Sequence, residues 1–394
     1  MKYFFVLGTN TALSVAELAA ILDLKNAELL APDFLVWETN DEISPVALMR
    51  RLGGTIKIGE IRAVATASEL TATITKLADA KQKKSPEHKF NFGLSSYGPK
   101  RFNEQDLGLK LKKHFSDQKI SARYVISQEK TLSSVVVTQN KLASRGLEII
   151  LCASGAKGGQ VLVGETLIVQ PFKDLSRRDY GRPARDDQSG MLPPKLAQVM
   201  INLAQPPSAE AVIVDPFCGS GTILSEAVLM GYKKLFASDI ALKAIEDTRQ
   251  NLDWLKGKYS LEDFRVKLQV KNVIHLSKFI KAGYAEAIIT EPFLGPQRGL
   301  IAFKNVIDNL ENLYSLALSE FHKILAPDGR VVMIWPSFYG RKPITPDLNG
   351  WHILEMVPEK FRTSLFVKQS ERGTIIYGRP GQKVYREVVV LEKG

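Results

Sequence analysis

Two acids and two glycines carry the first chemistry legible in this chain of 394 residues. Ala211–Val214 is a short apolar run ending in Asp215. A tight turn with Gly219 and Gly221 follows, and an apolar-periodic segment starts at Thr222. Strand, glycine turn and helix in that order cradle a nucleotide-like ligand against a helix N-terminus. A side chain at either glycine would block the approach of backbone to ligand. A second strand, Tyr232–Ile240, closes on Asp239. The dinucleotide pattern G-x-G-x-x-G is incomplete, since Leu224 stands at its third glycine, and the Gly-Lys-Ser/Thr of a phosphate-binding loop is absent. Asp239 can accept both hydroxyls of a ribose, and Asp215 suits a cationic amino group. Two acids, an open turn and no phosphate-binding lysine predict S-adenosylmethionine as the cofactor.

A second motif, TEPFLGP, spans Thr290–Pro296 at the end of an apolar strand, Ala285–Thr290. An acid followed by proline and an aromatic resembles the Asp/Asn/Ser-Pro-Pro-Tyr/Phe motif with which amino-methyltransferases bind an exocyclic base amine. The lone pair of such an amine is delocalised into the ring, so its N–H groups need acceptors that draw the nitrogen towards sp3. A side-chain oxygen and the carbonyl at the proline can both accept, and an aromatic ring stacks on a base turned out of its helix. Positioning supplies much of such catalysis. Glu291, Pro292 and Phe293 are the catalytic candidates. The sequence departs from the motif in three places: Glu291 is one methylene longer than Asp, Phe293 replaces the second proline, and Leu294 replaces the aromatic.

The elements that must position these residues alternate between strand and helix. From residue 195 onward the pattern is α/β: helix 195–203, strands 211–215 and 232–240, helix 241–255, strand 266–270 ending near Asn272, strand 285–290, helix 306–324, then strands at 330–335, 351–358, 364–369, 374–378 and 386–391. Such alternation predicts a mostly parallel sheet, with the ligand outside the carboxyl ends of its strands. Asp215, Asp239, Asn272 and Glu291 all fall at strand ends. The first sixty or so residues read as a small α+β module, with strands at 2–8, 34–39 and 55–64 and helices at 13–22 and 45–52. In the first helix Ser14 and Glu17 form a capping box. A helix at 68–80, a strand at 90–95, a helix at 106–115 and strands at 122–127, 133–140 and 148–153 follow. Residues 170–194 are rich in charge, glycine and proline and read as a crossing segment without an element of its own. The expected domains are therefore 1–60, 61–168, a linker at 169–194, and 195–394.

Net charge is +11, with 53 Lys and Arg against 42 Asp and Glu. Residues 81–130 hold twelve basic against five acidic residues, so most of the surplus lies in that section. A basic section of this kind suits a polyanionic partner. Lys100, Arg101, Lys110, Lys112 and Lys113 are candidates for phosphate contact, with Arg177 and Arg178 of the connector. Tyr97 and Phe102 are interleaved with the basic residues where they could stack on bases, whereas Phe90 and Phe92 read as core. The two cysteines, Cys152 and Cys218, have no metal-ligand spacing, so no metal is expected. No membrane-spanning run or signal peptide is evident, and a cytoplasmic location is expected.

The whole arrangement resembles the THUMP-domain tRNA guanine N2-methyltransferases, the group modifying guanosine 10, and the related DNA-methylase-like family. VDPFCGSGTILSEA is the most specific match. RPARDDQSGMLPPKLAQVMINLA resembles the segment before the family's catalytic domain, MKYFFVLGTNTALSVAEL its start, and YGRPGQKVYREVVVL its C-terminal strand. The resemblance implies ferredoxin-like and THUMP-like modules followed by a Rossmann-fold methyltransferase domain. It assigns Asp215, Phe217, Gly219 and Gly221 to the methionine end of the cofactor and Asp239 to the ribose. Asn272 stands where the family has an Asp contacting adenine. Glu291, Pro292 and Phe293 would hold the target amine, and the THUMP module would bind the 3′ end of the tRNA. The alternatives are a DNA or ribosomal-RNA amino-methyltransferase, and a non-catalytic tRNA-binding protein that keeps the fold. No protein partner is implied, and a monomer is expected.

Overall fold

Strand β1 (Lys2–Leu7) is apolar at five of its six positions. It is an interior strand of an eight-stranded sheet, paired antiparallel on both sides. The computed structural model describes the chain except for residues 100–101, 130, 154–158, 186–190, 297–302 and 340–341. The chain falls into two units. The first comprises Met1–Thr11, Asp23–Arg50 and Gly54–Phe172, and the second comprises Ala12–Leu22, Arg51–Gly53 and Lys173–Gly394. Helix α1 (Thr11–Ile21) thus belongs almost wholly to the second unit, although the strands on either side of it belong to the first.

The first unit continues with β2 (Ala27–Ala31), β3 (Phe34–Glu38), α2 (Pro45–Arg51), β4 (Thr55–Ala65), α3 (Leu70–Gln82), β5 (Phe90–Tyr97), α4 (Glu104–Asp117), β6 (Ala122–Val125), α5 (Ser134–Gln139), β7 (Leu147–Ala153) and β8 (Val161–Val169). The sheet order is β2-β3-β1-β4-β8-β7-β5-β6. Only the β5–β6 and β5–β7 pairs are parallel. Phe90 and Phe92 are buried against Phe115 of α4 at ring-centroid distances of 5.2 and 6.0 Å. They are core, as their spacing on alternate residues of β5 implies. Tyr97 is also buried and stacks on Phe34 at 4.9 Å, so it is not a free platform for a base.

The second unit carries α6 (Phe172–Tyr180), α7 (Pro194–Ala204), β9 (Val212–Asp215), α8 (Thr222–Leu229), β10 (Lys234–Asp239), α9 (Leu242–Tyr259), β11 (Arg265–Val270), β12 (Ala285–Thr290), α10 (Phe303–Ile324), β13 (Leu325–Phe338), β14 (Lys342–Pro343), β15 (Trp351–Ile353), α11 (Glu359–Arg362), β16 (Ile375–Tyr377) and β17 (Val384–Lys393). Its sheet runs β11-β10-β9-β12-β13-β17-β15, with β14 on β13 and β16 on β17. The first five strands of that order are parallel, and β17 runs against them. Helices cover both faces of a parallel sheet, which explains why all four residues of β9 are buried. Chain order reverses between β10 and β12 on either side of β9, the switch point at which a crevice opens.

Helix α7 is buried on nearly every face. Its Asn202 amide donates to Glu17 Oε1 of α1 at 2.8 Å and to the Arg51 carbonyl at 3.0 Å. The Gly53 N–H donates to the same Glu17 oxygen at 2.8 Å. Only glycine fits at 53, because a Cβ there would lie 2.0 Å from the Lys195 carbonyl oxygen. Glu17 is therefore not half of a capping box with Ser14. The helix starts at Thr11, three residues before Ser14, and Glu17 is turned inward as a buried acceptor.

Three further expectations are corrected. Residues 133–140 form helix α5, not a strand: the Ser133 hydroxyl caps the Val136 N–H, and this local bond wins over the β-branched run Val135–Val137. Residues 172–180 form α6, a helix with a strongly charged outer side, inside what reads as a linker. Residues 364–369 are not a strand. Strands β2 and β8 were not expected at all.

Candidate active site

The turn after β9 is held from beneath by α9. Gly219 and Gly221 have φ of +51° and +78°, the left-handed region that glycine adopts without strain. The Thr248 hydroxyl donates to the Gly219 carbonyl at 2.8 Å, and the Asn251 amide donates to the Ser220 carbonyl at 2.8 Å. Thr248 and Asn251 are missing from the sequence-derived set. Their signal was two polar residues on the buried side of an amphipathic helix, which only the tertiary contact explains.

A cavity of about 500 Å³ opens above this turn, within the size range of small-molecule sites. Asp215, Phe217, Gly219, Asp239, Asn272, Glu291, Pro292 and Phe293 all line it, so the structure brings the expected cofactor and amine-binding residues to one cavity. Gly221 does not line it. It is needed for the turn itself, because a Cβ there would meet the Thr248 side chain at 2.9 Å.

Asp215 is 1% exposed. Its Oδ1 accepts from the Thr290 hydroxyl at 2.7 Å and from the Phe217 N–H at 3.3 Å, while Oδ2 has no partner among the described residues. Burial pushes this carboxyl up to about 7, against the two donors, with Asp239 and Glu291 adding to the rise. A buried carboxylate with one oxygen left over on a cavity calls for a cation. Asp239 is better satisfied: it accepts from the Gly219 N–H at 3.1 Å and from the Ala241 N–H at 3.0 Å, which ties the two strand ends together. The Asn272 oxygen caps the short 3-10 turn Val273–Lys278 by accepting from the Ile274 N–H at 3.2 Å. That bond leaves its amide nitrogen, a donor, for any ligand. An Asp at this place could offer only acceptors.

Glu291 is held by Arg386 of β17, whose Nε donates to Glu291 Oε1 at 2.5 Å. The side chains are 13% and 15% exposed. Burial holds the Glu291 carboxyl above its usual range, and the guanidinium offsets only part of that rise. Arg386 lies 95 residues away in the chain, and no sequence signal joins the two. The extra methylene of Glu over Asp now has a counterpart, an arginine from β17, the antiparallel strand on the far side of β13. Phe293 is 62% exposed and Leu294 is buried, so the aromatic has moved one residue along the motif and its ring stands at the cavity. Tyr314 of α10, fully buried, donates its hydroxyl to the Phe293 carbonyl at 3.0 Å and fixes this loop. The Pro292 carbonyl accepts from no described residue.

The basic candidates separate. Lys110, Lys112 and Lys113 project from α4 into solvent, Lys110 within 2.7 Å of Asp106. Arg177 is exposed beside Asp174. Arg178 is a correction: it is 8% exposed and makes two hydrogen bonds to the buried Glu226 of α8, at 2.6 and 3.1 Å. It is a strut of the second unit and cannot reach a nucleic acid. Lys100 and Arg101 lie outside the described residues. Among the described residues no cluster of His, Cys, Asp and Glu could hold a metal, and no helix is long and apolar enough to cross a membrane.

Residues 182–338 match the family described as RMKL-like, methyltransferase domain. The tRNA (guanine(10)-N2)-dimethyltransferase of Methanothermobacter thermautotrophicus is 33% identical over 183 residues, 45% of this chain and 50% of that protein. The chain thus spans about half the length of this relative. A protein of Methanothermococcus thermolithotrophicus named "Probable tRNA (guanine(10)-N2)-dimethyltransferase" is 33% identical over 172 residues, 43% of this chain and 93% of that one. The crystal structure of TrmN from Thermus thermophilus superposes with a TM-score of 0.57 over 100% of both chains at 17% identity, a likeness of fold. The stretch that matches the methyltransferase domain takes in every strand-end acid described above, and with a third of its aligned residues shared across nearly all of the Methanothermococcus protein, the chain belongs to the tRNA (guanine(10)-N2)-dimethyltransferase family.

Proposed function

We propose that the protein is an S-adenosylmethionine-dependent methyltransferase acting on the exocyclic N2 amine of a guanosine in tRNA, of the position-10 type. The observation that carries this reading is the shared cavity, lined by Asp215 and Asp239 together with Glu291, Pro292 and Phe293. The names of the relatives supply the substrate class.

The residues fit the cofactor. Asp215 offers its spare oxygen to an amino group, Asp239 has lone pairs left for a ribose, and the glycine turn leaves backbone open to a ligand. When bound, the cofactor supplies an electrophilic sulfonium methyl. Glu291 and the Pro292 carbonyl accept the N–H groups of the target amine and orient its lone pair, and the exposed Phe293 ring stacks on the extruded base. Arg386 favours the ionised form of Glu291, the form that can accept and can take the proton released from the methylated nitrogen. Lys110, Lys112, Lys113 and Arg177 contact phosphates, and residues 61–168 serve as a THUMP-like tRNA-binding module. In this reading the protein acts as a monomer in the cytoplasm.

Purified protein is expected to transfer labelled methyl to unmodified tRNA transcripts, with nucleoside mass spectrometry reporting N2-methylated guanosine, and Asp239→Ala is expected to abolish transfer. Cofactor binding without any labelled tRNA would replace this reading with that of a tRNA-binding protein. Label on duplex DNA alone would end the RNA assignment.

A further inference from the structure

Strand β13 outruns its neighbour. Thr290, the last residue of β12, lies opposite Met333, and β13 continues for five further residues to Phe338. At roughly 3.4 Å per residue that is about 17 Å of strand beyond the carboxyl end of β12. β17 stays paired with it as far as Val384, and β14 returns along it with Lys342 opposite Phe338. On the other side of β17, β16 sets Tyr377 opposite Arg386. These strands form a ribbon that rises past the sheet beside the Glu291 loop. Two contacts tie it there: Arg386 donates to Glu291, and the Phe338 ring lies 3.4 Å from where a Cβ at Gly295 would be.

The far end of the ribbon combines an exposed aromatic, a strained backbone and positive charge. Tyr339 follows Phe338 with φ of +52°, a conformation that bulky residues rarely adopt, and it is 51% exposed. Its N–H donates to the Lys383 carbonyl at 2.7 Å, which pins the backbone. Strain held at an exposed residue points to function rather than packing. Residues 342–346 and 375–386 hold four basic and no acidic residues. Arg386 is committed to Glu291, while Lys342 and Arg379 are exposed. Arg379 sits on a fixed turn: its N–H donates to Gln382 Oε1 at 2.8 Å, and Gly381 has φ of +86°. Lys383, bonded to Tyr339, is three residues from Arg386, about 10 Å along the strand. Three stacked nucleotides at roughly 3.4 Å each cover that distance. Resting on the tRNA reading above, we propose that this tip holds the RNA strand beside the extruded base. The Tyr339 ring stacks on a neighbouring base, and Lys342 and Arg379 contact the flanking phosphates. None of the three touches the reacting atoms.

Fluorescence anisotropy of a labelled tRNA transcript, titrated with the full chain over a series of salt concentrations, tests this. Tyr339→Gly removes the ring and relieves the left-handed strain, so the fold is kept. It is expected to weaken tRNA binding roughly five- to a hundredfold, the loss of one base–aromatic stack, at an unchanged salt slope. Tyr339→Phe keeps the ring and is expected to bind as the native protein does. Lys342→Gln combined with Arg379→Gln is expected to lower the slope of log K against log salt by about 1.4, two phosphate contacts at roughly 0.7 each on a single strand. S-adenosylhomocysteine affinity, followed by calorimetry, is expected to stay unchanged in all of them. Native tRNA affinity in Tyr339→Gly would overturn the proposal, as would a native salt slope in the double variant. Weakening of S-adenosylhomocysteine together with tRNA would mean a purely structural role and overturn it too. Native protein that binds no tRNA would withdraw the tRNA reading itself, a result distinct from these.

Discussion

Arg386→Met asks whether Glu291 owes its charge to its partner. The pair is 2.5 Å apart and largely shielded from water. Methionine keeps much of the apolar stem packing and removes the guanidinium. Glu291 can then stay ionised without a partner, at a cost of about 3–5 kcal/mol, or take up a proton. Protonation costs 1.36 kcal/mol for each pH unit above the ordinary carboxyl value of about 4.3, hence roughly 3.7 kcal/mol at pH 7. The cheaper route limits the deficit. The variant is expected to be less stable by about 3–4 kcal/mol at pH 7, with the gap closing by about 1.4 kcal/mol per pH unit on acidification. The direction follows from burial, which raises the Glu291 carboxyl in the folded protein and raises it further once the arginine is gone. Between the two values the folded variant binds more protons than the unfolded chain, so its stability falls as pH rises. Urea unfolding of both proteins at pH 5, 6 and 7 measures the gap. A gap of equal size at pH 5 and pH 7 would refute the reasoning and mean that lost packing is the cause. Methyl transfer should follow the same titration, with kcat at pH 7 reduced and cofactor affinity unchanged, and Arg386→Lys should recover part of it.

In the ligand-free protein the Asp215 carboxyl lies at about 7. S-adenosylhomocysteine affinity should therefore fall by up to tenfold per pH unit below 7 and level off above it, a slope that Asp215→Asn should remove when titrated by calorimetry. Phe293→Ala should lower kcat/KM for tRNA by about ten- to a hundredfold, the loss of one base–aromatic stack, while cofactor Kd is unchanged. Gly221→Ala should lose about 1–3 kcal/mol in thermal unfolding, since it combines a left-handed φ with a clash against Thr248. Gly219→Ala meets nothing within 4 Å and should act mainly on cofactor binding. Arg178→Met should destabilise the protein and leave the salt dependence of tRNA binding untouched, because Arg178 neutralises Glu226 and no phosphate.

The second unit was legible because its signals are local. An apolar run ending in an acid, two glycines and a periodic helix fall within twenty residues, and the strand ends can be counted along the chain. What escaped the sequence was long-range. Arg386 reaches Glu291 from 95 residues away, and Thr290 reaches Asp215 from 75. Neither arginine nor threonine announces its partner. Arg177 and Arg178 look alike in sequence, yet one faces solvent and the other is buried, because only Arg178 is turned towards α8. Helix α5 differs from the expected strand because a single capping serine outweighs three β-branched residues in the structure. The domain bounds expected near residues 60 and 169 do not include the return of α1 and residues 51–53 to the second unit, a pairing in which the buried Glu17 accepts from both Gly53 and Asn202.

That glutamate sets a timetable for synthesis. Glu17 and its partner Asn202 are 185 residues apart. At about 5–20 residues per second the ribosome makes α1 some ten to forty seconds before α7. During that interval α1, which carries the fully buried Val15 and Leu18, lacks its hydrogen-bond partner on α7. The second unit therefore cannot complete itself from either end of the nascent chain. Its first helix has to wait for its Asn202 partner until half the protein has been made.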